Sequence, residues 1–326
     1  MSSCVGPAQP PVSGAARHQI ATISDGPALP QGRACHAAAL VGGRVVVAGG
    51  SAWSADRMTK NWFADTLVID PDGQSWNPGP PLPNAVAEMM FGSDGNALYI
   101  AGGKNGSATT ANACQVVIRD GKLIVEALPP LPMALSGGAG AFLNGVFYVA
   151  GGYDAGGNMT DGLWALDVRQ VALGWQSRAP MPPPIRVYPA LVGSGGGLYL
   201  LGGCIVETEA KPDRQVFKHM YRYDPMTNTW SCLSDLPSAG QAWAAGAVDD
   251  DHVMLTGRGD TGIYDDVWLV DLRNSSVKGL GNLVVPSFGA PLVRVSPHCW
   301  WFIGGEPDAH KSRTPRVSVI CMPGDR

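Results

Sequence analysis

Short apolar strands that end in glycine recur along the chain at intervals of about fifty residues. The six segments read VVVAGG, LYIAGG, FYVAGG, LYLLGG, VMLTGRG and WFIGG. Their first glycines are Gly49, Gly102, Gly151, Gly202, Gly257 and Gly304, with steps of 53, 49, 51, 55 and 47 residues. A repeat of this length built on strands is typical of a β-propeller, in which each repeat forms one blade. The pattern therefore predicts an all-β protein with six blades.

Each repeat contains further strands around the one that ends in glycine. In the first repeat, ACHAAALVGG alternates before RVVVAGG, and then FADTLVID and a short strand with Trp76 follow, ended by GPPLP. The third and fourth repeats keep this order with Trp175 and Trp230, whereas the fifth lacks a tryptophan in its outer strand. The pattern predicts four strands per blade.

The two ends of the chain are predicted to close the ring. The sixth repeat ends in RVSVICMP with no outer strand after it, while HQIATISDGPALP near the N terminus has the pattern of an outer strand. We expect the two segments to pair. Because blades cannot bury their faces alone, residues 18–326 should form a single propeller domain, preceded by a disordered tail over residues 1–17.

Composition excludes several classes of partner. A net charge of −4 and the lack of a basic stripe argue against nucleic acid. The longest apolar stretches have strand length, so we expect no membrane span, and the N-terminal residues contain no signal-peptide-like core. The seven cysteines show no C-x-x-C spacing and are interpreted as free thiols in a reducing cytoplasm. The sequence does not determine the oligomeric state, and a homodimer is one of the open alternatives.

Two sets of loops should open on the same face of an antiparallel propeller: those after each glycine doublet and those that link one blade to the next. The inter-blade loops contribute polar and aromatic residues, namely Arg33, His36, Glu88, Arg186, Tyr188, Gln241, Trp243 and Phe288. The loops after the glycines contribute Trp53, Lys60, Asn61, Trp62, Lys104, Asn105, Tyr153, Asp154, Arg258, Asp260, Glu306, His310 and Arg313. So many cations around one opening predict a polar pocket for an anionic, hydroxyl-rich ligand.

The glycine doublets, the following Tyr or Trp and the W…LP endings resemble the kelch family, which forms propellers of four-stranded blades. The last repeat, WFIGGEPDAHKSRTPRVSV, resembles the N-acetylneuraminate epimerase (sialic acid mutarotase) family, in particular its cyclically permuted relatives. VAGGSAWSADRMTKNWFADTLVID and PIRVYPALV are also similar to that family. The resemblance implies that Glu306 and Arg313 carry the activity.

This resemblance has two departures and one apparent duplicate. Glu306 and Arg313 are seven residues apart, one more than expected, and an expected aromatic residue is replaced around Glu88 and Met89. A second segment, ETEAKPDR with Glu209 and Arg214, looks similar but lies farther from its glycine doublet, so we interpret it as coincidence.

The resemblance implies a mutarotase that interconverts anomers of N-acetylneuraminate or a related acidic sugar, with no cofactor and no metal. Glu306 and Arg313 are the catalytic candidates; the substrate-binding candidates are Arg33, His36, Glu88, Arg186, Tyr188 and Arg258. Ring opening needs a base and an acid, and His36 or His310 could be the acid. The alternative is a kelch module that binds protein or carbohydrate without catalysis, since fold alone does not fix function.

Overall fold

The computed structural model describes residues 20–106, 108–206, 214–310 and 312–324. These residues form six antiparallel sheets of four strands each, which confirms the predicted six-bladed propeller. The predicted tail, residues 1–17, lies outside the described residues. Within the described part of the chain, no helix is long and apolar enough to cross a membrane.

The first strand of each blade lines the central channel, and the later strands follow outward. From the channel outward, blades 1 to 3 consist of Ala37–Val41, Arg44–Ala48, Thr66–Ile69 and Asn77–Gly79; Met90–Ser93, Ala97–Ala101, Ala113–Arg119 and Lys122–Leu128; and Ala139–Leu143, Val146–Ala150, Leu163–Asp167 and Gln176–Arg178. Blades 4 to 6 consist of Ala190–Ser194, Gly197–Leu201, Met220–Asp224 and Thr229–Cys232; Gly240–Ala247, His252–Gly259, Asp266–Asp271 and Val277–Asn282; and Leu292–Arg294, Cys299–Ile303, Val317–Cys321 and Thr22–Asp25.

Smaller elements decorate the blades. Three two-stranded hairpins follow the glycine doublets of blades 1, 2 and 4: Ser51–Trp53 with Lys60–Trp62, Lys104–Asn105 with Ala108–Thr109, and Cys204–Ile205 with Gln215–Val216. A single turn of 3-10 helix, Val171–Leu173, precedes the outer strand of blade 3. The hairpins extend the chain over the face on which the glycine doublets lie.

Both ends of the chain contribute to blade 6. Thr22–Asp25 pairs antiparallel with Val317–Cys321, with Thr22 opposite Cys321 and Asp25 opposite Ser318. Arg316 donates to the Asp25 carboxylate, with 2.7 Å between Nη2 and Oδ2. The outer strand of the last blade thus comes from the beginning of the chain.

Apolar side chains hold neighbouring blades together. A separate cluster of buried residues lies at each interface between adjacent blades. Tyr99 of blade 2 and Phe147 of blade 3 meet at one interface, with ring centroids 5.9 Å apart. Val47 of blade 1 and Trp301 of blade 6 share another. Because burial of one such side chain stabilises the fold by about 2 kcal/mol, these interfaces account for the closed ring.

The cysteines differ in part from the sequence-based expectation. Cys299 and Cys321 lie directly opposite each other on adjacent strands of blade 6 and form a disulfide, so the expectation of free thiols is wrong for this pair. It is also wrong for Cys232, which is disulfide-bonded as well. The separation of 22 residues between Cys299 and Cys321 gave no sign of their disulfide, because the pairing depends on strand register. Cys35, Cys114 and Cys204 are free, as expected. The cytoplasmic location stays a prediction.

Candidate active site at the mouth of the channel

The inter-blade loops and the loops after the glycine doublets meet at one end of the channel. In every blade, a residue of the inter-blade loop pairs with a residue directly after the glycine-ended strand. The pairs are Ala34–Ser51, Ala87–Lys104, Ser136–Tyr153, Val187–Cys204, Gln241–Arg258 and Phe288–Glu306. The predicted sharing of one face by the two loop sets is therefore confirmed.

These pairs define two concentric sets of equivalent residues. The outer ring consists of Ser51, Lys104, Tyr153, Cys204, Arg258 and Glu306. The inner ring consists of the residues that follow the inter-blade partners, namely Cys35, Glu88, Gly137, Tyr188, Ala242 and Gly289. All six inner-ring residues line a channel cavity of about 520 Å³, and we call this end of the channel the mouth.

The backbone of the inner ring links the blades around the channel. Every inner-ring residue has a positive φ, between 48° and 66°. The Glu88 N–H donates to the Cys35 carbonyl at 2.9 Å, and the Tyr188 N–H donates to the Gly137 carbonyl at 2.8 Å. This left-handed conformation is unfavourable for most side chains, so its repetition shows that the surrounding packing imposes it.

The glycine doublets allow the blades to approach closely at the mouth. Gly102 has a φ of 66°, and a Cβ atom there would lie 2.4 Å from the carbonyl oxygen of Leu135 in the next inter-blade loop. Only glycine fits such a contact. The doublet therefore brings the outer-ring residue that follows it next to the channel.

Glu306 and Arg313, the two catalytic candidates, form an ion pair. Arg313 Nη2 lies 3.0 Å from Glu306 Oε1, and the two side chains are 5% and 9% exposed, respectively. Arg313 Nε also donates to the Ser51 carbonyl at 3.1 Å. The structure thus brings both residues of the motif together despite their longer spacing, and fixes the guanidinium against blade 1.

A second hairpin contact holds the loop that carries Arg313. Arg57, at the tip of the blade 1 hairpin, donates to the His310 carbonyl at 2.6 Å and to the Ser312 hydroxyl at 2.8 Å. The hairpin of blade 1 and the loop of blade 6 therefore support each other beside the mouth.

Glu88 is the centre of a second polar group at the mouth. Lys104 Nζ lies 2.9 Å from Glu88 Oε2, and the Tyr188 hydroxyl donates to the same oxygen at 3.0 Å. Tyr188 reaches Glu88 across blade 3, where Gly137 has no side chain: a Cβ atom on Gly137 would lie 2.8 Å from the Tyr188 ring. Burial and the nearby Glu88 charge raise the pKa of Tyr188 well above its usual value, so the phenol stays protonated as a donor.

Arg258 is near enough to Arg214 and Glu306 for the charges of both to act on it. Arg258 packs over the Phe288 ring, 4.9 Å from its centroid. Burial lowers the pKa of Arg258, and so does the neighbouring Arg214 charge, while the Glu306 charge raises it. Arg214 forms a hydrogen bond with the Cys204 side chain. The segment interpreted as coincidence therefore contributes one residue, Arg214, to the mouth; Glu209 lies outside the described residues.

Arg33 and Arg186, two of the substrate-binding candidates, are buried in the fold. Arg33 forms a bidentate ion pair with Asp65 at 3.0 and 2.8 Å and also donates to the Gly49 carbonyl. Arg186 donates to the carbonyls of Gly202 and Pro184 at 3.0 and 3.1 Å. At 2% and 0% exposure, both guanidinium groups are used by the protein itself. Their geometry gives the hypothesis of sugar binding no support.

The two histidines considered as partner acids are poorly suited to that role. His36 is 2% exposed, and burial together with the Arg33 charge holds its pKa well below the usual value. It is therefore neutral near pH 7 and has no proton to donate as an imidazolium. His310 is exposed on the loop that Arg57 holds. Lys104 and Tyr188 are hydrogen-bond donors at the mouth, where both contact Glu88.

Sequence reasoning missed Cys35, although a signal was present. Cys35, Glu88 and Tyr188 each precede the first glycine of their repeat by 14 residues, so they occupy one structural position. Burial, together with the charges of Glu88 and Glu306, raises the pKa of Cys35 to about 12. The thiol is therefore protonated at neutral pH. The described residues contain no cluster of three His, Cys, Asp or Glu side chains that could hold a metal ion.

Comparison with known proteins confirms the family resemblance. The family model described as N-acetylneuraminate epimerase matches residues 128–279, and the kelch motif model matches residues 32–83. Two proteins named N-acetylneuraminate epimerase from Haemophilus influenzae, strains 86-028NP and PittEE, are 28% and 30% identical over 163 and 140 residues. These matches cover 50% and 43% of this chain but only 42% and 36% of the relatives. A protein of that name from Pasteurella multocida (strain Pm70) is 30% identical over 141 residues, 43% of this chain and 34% of the relative.

Proposed function

We propose that this protein is an isomerase that interconverts the anomers of N-acetylneuraminate or a related acidic sugar at the mouth of the channel. The observation that carries the proposal is that two carboxylate side chains lie in the rings at the mouth, each paired with a cationic side chain. One is Glu306 with Arg313, and the other is Glu88 with Lys104 and Tyr188. The names of the relatives support the same activity.

The charges at the mouth favour an anionic substrate. The chain as a whole carries a net charge of −4. Around Cys35 and the outer ring, however, the charged side chains are mostly cations, namely Lys60, Lys104, Arg214, Arg258 and Arg313, against Glu88 and Glu306. A local positive field in a partly closed site attracts anions and raises their local concentration.

The reaction requires only proton transfers. Glu306 takes the proton of the anomeric hydroxyl, the bond between the anomeric carbon and the ring oxygen breaks, and a carbonyl group forms. The ring oxygen keeps the electron pair of that bond and receives a proton from Lys104, which shares Glu88 Oε2 with Tyr188. After rotation about the adjacent carbon–carbon bond, the reverse steps close the ring with the hydroxyl on the other face.

NMR saturation transfer between the anomers of N-acetylneuraminate tests this proposal. We expect the wild type to accelerate exchange and Glu306→Gln to lose about 10²–10⁴-fold of that acceleration, because a general base is removed. Glu126→Gln is the matched control, since Glu126 pairs with Arg119 on the outer strands of blade 2. Exchange no faster than in buffer would favour a binding module without catalysis. Full activity in Glu306→Gln would remove Glu306 from the mechanism.

A further inference from the structure

We infer that Trp53 is the sugar-stacking residue of the mouth, with its flat indole against the apolar face of a pyranose ring. This inference rests on the proposed function, and it names the part of the substrate that is recognised apart from its charged group, namely the closed ring. The indole is a large, rigid and mostly apolar plane, and a pyranose ring presents C–H groups on its faces. Stacking removes both surfaces from water, while the hydroxyl groups at the ring edge stay free for polar contacts.

The first observation is that the packing between blades does not use this tryptophan. Eight of the ten tryptophans belong to the apolar clusters between blades, namely Trp76, Trp164, Trp175, Trp230, Trp243, Trp268, Trp300 and Trp301. In the described part of the chain, Trp53 and Trp62 belong to none of these clusters, and both lie in the two-stranded hairpin of blade 1. A tryptophan outside the core leaves a large apolar surface available, so these two are the candidates for contact with a ligand.

The second observation is the direction in which the hairpin presents these side chains. Trp53 pairs directly with Lys60, and Lys60 precedes Trp62 by two residues, so the three side chains lie on one face of the hairpin. Lys60 is partly buried and is near enough to Glu88 and Arg313 for the charges of both to act on it. The face that carries Trp53 is therefore turned toward the mouth.

The third observation distinguishes Trp53 from Trp62. The Lys60 ammonium group lies over the Trp62 ring, with 4.3 Å between Nζ and the ring centroid, so one face of that indole is already occupied. Trp53 is partly exposed, and no aromatic ring or cation among the described residues lies over it. Trp53 therefore offers an open indole face, and the ammonium group of Lys60 beside it can donate to a hydroxyl group of the same sugar.

Contacts with blade 6 hold the hairpin in place beside the catalytic pair. Arg57, at the tip of the hairpin, donates to two oxygen atoms of the loop that carries Arg313, at 2.6 and 2.8 Å. At the base of the hairpin, the carbonyl of Ser51 accepts from Arg313 Nε at 3.1 Å. Because both ends of the hairpin are tied to this loop, a ring stacked on Trp53 is held at a fixed position relative to the catalytic pair.

Isothermal titration calorimetry with N-acetylneuraminate tests the inference without depending on turnover. Trp53→Leu stays apolar but loses the aromatic plane, and Trp53→Tyr keeps a flat ring. Asn61→Ala is the matched control, because Asn61 is exposed and its side chain lies on the opposite face of the same hairpin. We expect Kd to rise at least about fivefold in Trp53→Leu, to rise less in Trp53→Tyr and to stay unchanged in Asn61→Ala.

Anomer exchange adds a readout that separates binding from proton transfer. Trp53→Leu should raise KM and leave kcat unchanged, because stacking holds the ring equally in the ground state and in the transition state. A variant that lowers kcat with KM unchanged would contradict the role given to Trp53.

Saturation-transfer difference NMR on the wild type gives a second reading that needs no variant. The C–H protons of the pyranose ring should receive more saturation than those of the exocyclic glycerol chain, because the stacked ring lies closest to the protein. More saturation on the glycerol chain would overturn the inference. Thermal unfolding of each variant shows whether it is folded.

The remaining outcomes separate the inference from the proposed function. An unchanged Kd in Trp53→Leu, or an equal loss of affinity in Asn61→Ala, would overturn the inference while the isomerase activity stands. A wild type that binds the sugar through Trp53 but does not accelerate anomer exchange would contradict the proposed function and support the stacking residue.

Discussion

At the scale of single residues, the chemistry of this protein lies at repeated positions rather than in one contiguous motif. Cys35, Glu88 and Tyr188 are equivalent residues of three blades, and Lys104 and Glu306 are equivalent residues of two. Each repeat therefore offers the same two positions beside the channel, and the sequence changes only which side chain occupies them. The hydrogen bond between Glu88 and Tyr188 also depends on glycine at position 137, because any side chain there would collide with the Tyr188 ring.

Gly137→Ala tests whether the space left by glycine is needed for the hydrogen bond between Tyr188 and Glu88. The new Cβ atom would lie 2.8 Å from the Tyr188 ring, at a residue whose φ is 66°. Gly121→Ala is the control, because Gly121 has a φ of 74° and no atom within 4 Å of its would-be Cβ. We expect Gly121→Ala to lose about 1 kcal/mol of unfolding free energy with anomer exchange unchanged. Gly137→Ala should lose more stability and also slow the exchange. Equal behaviour of the two variants would contradict the role given to Gly137.

His36 gives a prediction for the pH dependence of stability. Because its pKa is lower in the folded protein than in the unfolded chain, the unfolded state binds the proton more readily, and stability falls as the pH drops below the unfolded value of about 6.5. His36 alone should cost about 1.4 kcal/mol of unfolding free energy between pH 7.5 and pH 5.5. His36→Met introduces the residue found at the equivalent position of blade 2, Met89. This variant should lack the part of the pH-dependent loss of unfolding free energy that His36 causes. Urea denaturation of the wild type and of His36→Met at pH 7.5 and pH 5.5 measures this difference. If the unfolding free energy of both proteins falls by the same amount, His36 is not a neutral buried imidazole.

At the scale of the elements, the outer-strand tryptophans show how the sequence specifies the contacts between blades. The indole N–H groups of Trp76, Trp175 and Trp230 donate to carbonyls of the preceding blade's end, those of Pro27, Pro129 and Ala179, at 2.8 to 2.9 Å. The tryptophan of the W…LP pattern thus forms a hydrogen bond between neighbouring repeats. In the case of Trp76, the acceptor lies just after the N-terminal strand, so this contact helps to hold the closing strand in place.

Trp76→Phe measures the value of that contact. Trp164→Phe is a matched control, since Trp76 and Trp164 are both 9% exposed and the Trp164 indole N–H has no hydrogen bond among the described residues. Both variants lose apolar contact area, but only Trp76→Phe leaves the Pro27 carbonyl without its donor. We expect Trp76→Phe to be less stable than Trp164→Phe by about 1–2 kcal/mol in urea denaturation. Equal losses would mean that the hydrogen bond adds nothing to the packing.

The same elements show what could be predicted from the sequence and what could not. Blade number, strand order and the face shared by the loops follow from the period of the glycine-ended strands, because a fixed repeat imposes a fixed geometry. Arg33 and Arg186 could not be distinguished from ligand-binding arginines, because their partners Asp65 and the Gly202 carbonyl become neighbours only after folding. The Cys299–Cys321 disulfide was missed for the same reason. Glu306 and Arg313 could be recognised because both lie in one loop.

At the scale of the whole molecule, the ring turns distant residues into one site. Glu306 in blade 6 and Lys104 in blade 2 are about two hundred residues apart in sequence but occupy equivalent outer-ring positions around one mouth. The channel cavity of about 520 Å³ beneath them is within the usual range for small-molecule sites. A net charge of −4 on the chain with cations gathered at the mouth gives the molecule a defined place for an anion.

The central claim is that side chains from different blades act on one sugar, and a double-mutant cycle tests it most directly. Anomer exchange of N-acetylneuraminate is measured for the wild type, Glu306→Gln, Lys104→Met and the double variant. If both residues serve one ring-opening step, the double variant should be no more than about tenfold slower than the slower single variant, because groups that act as a unit show strongly non-additive losses. A double variant whose loss equals the product of the two single losses would contradict a shared site.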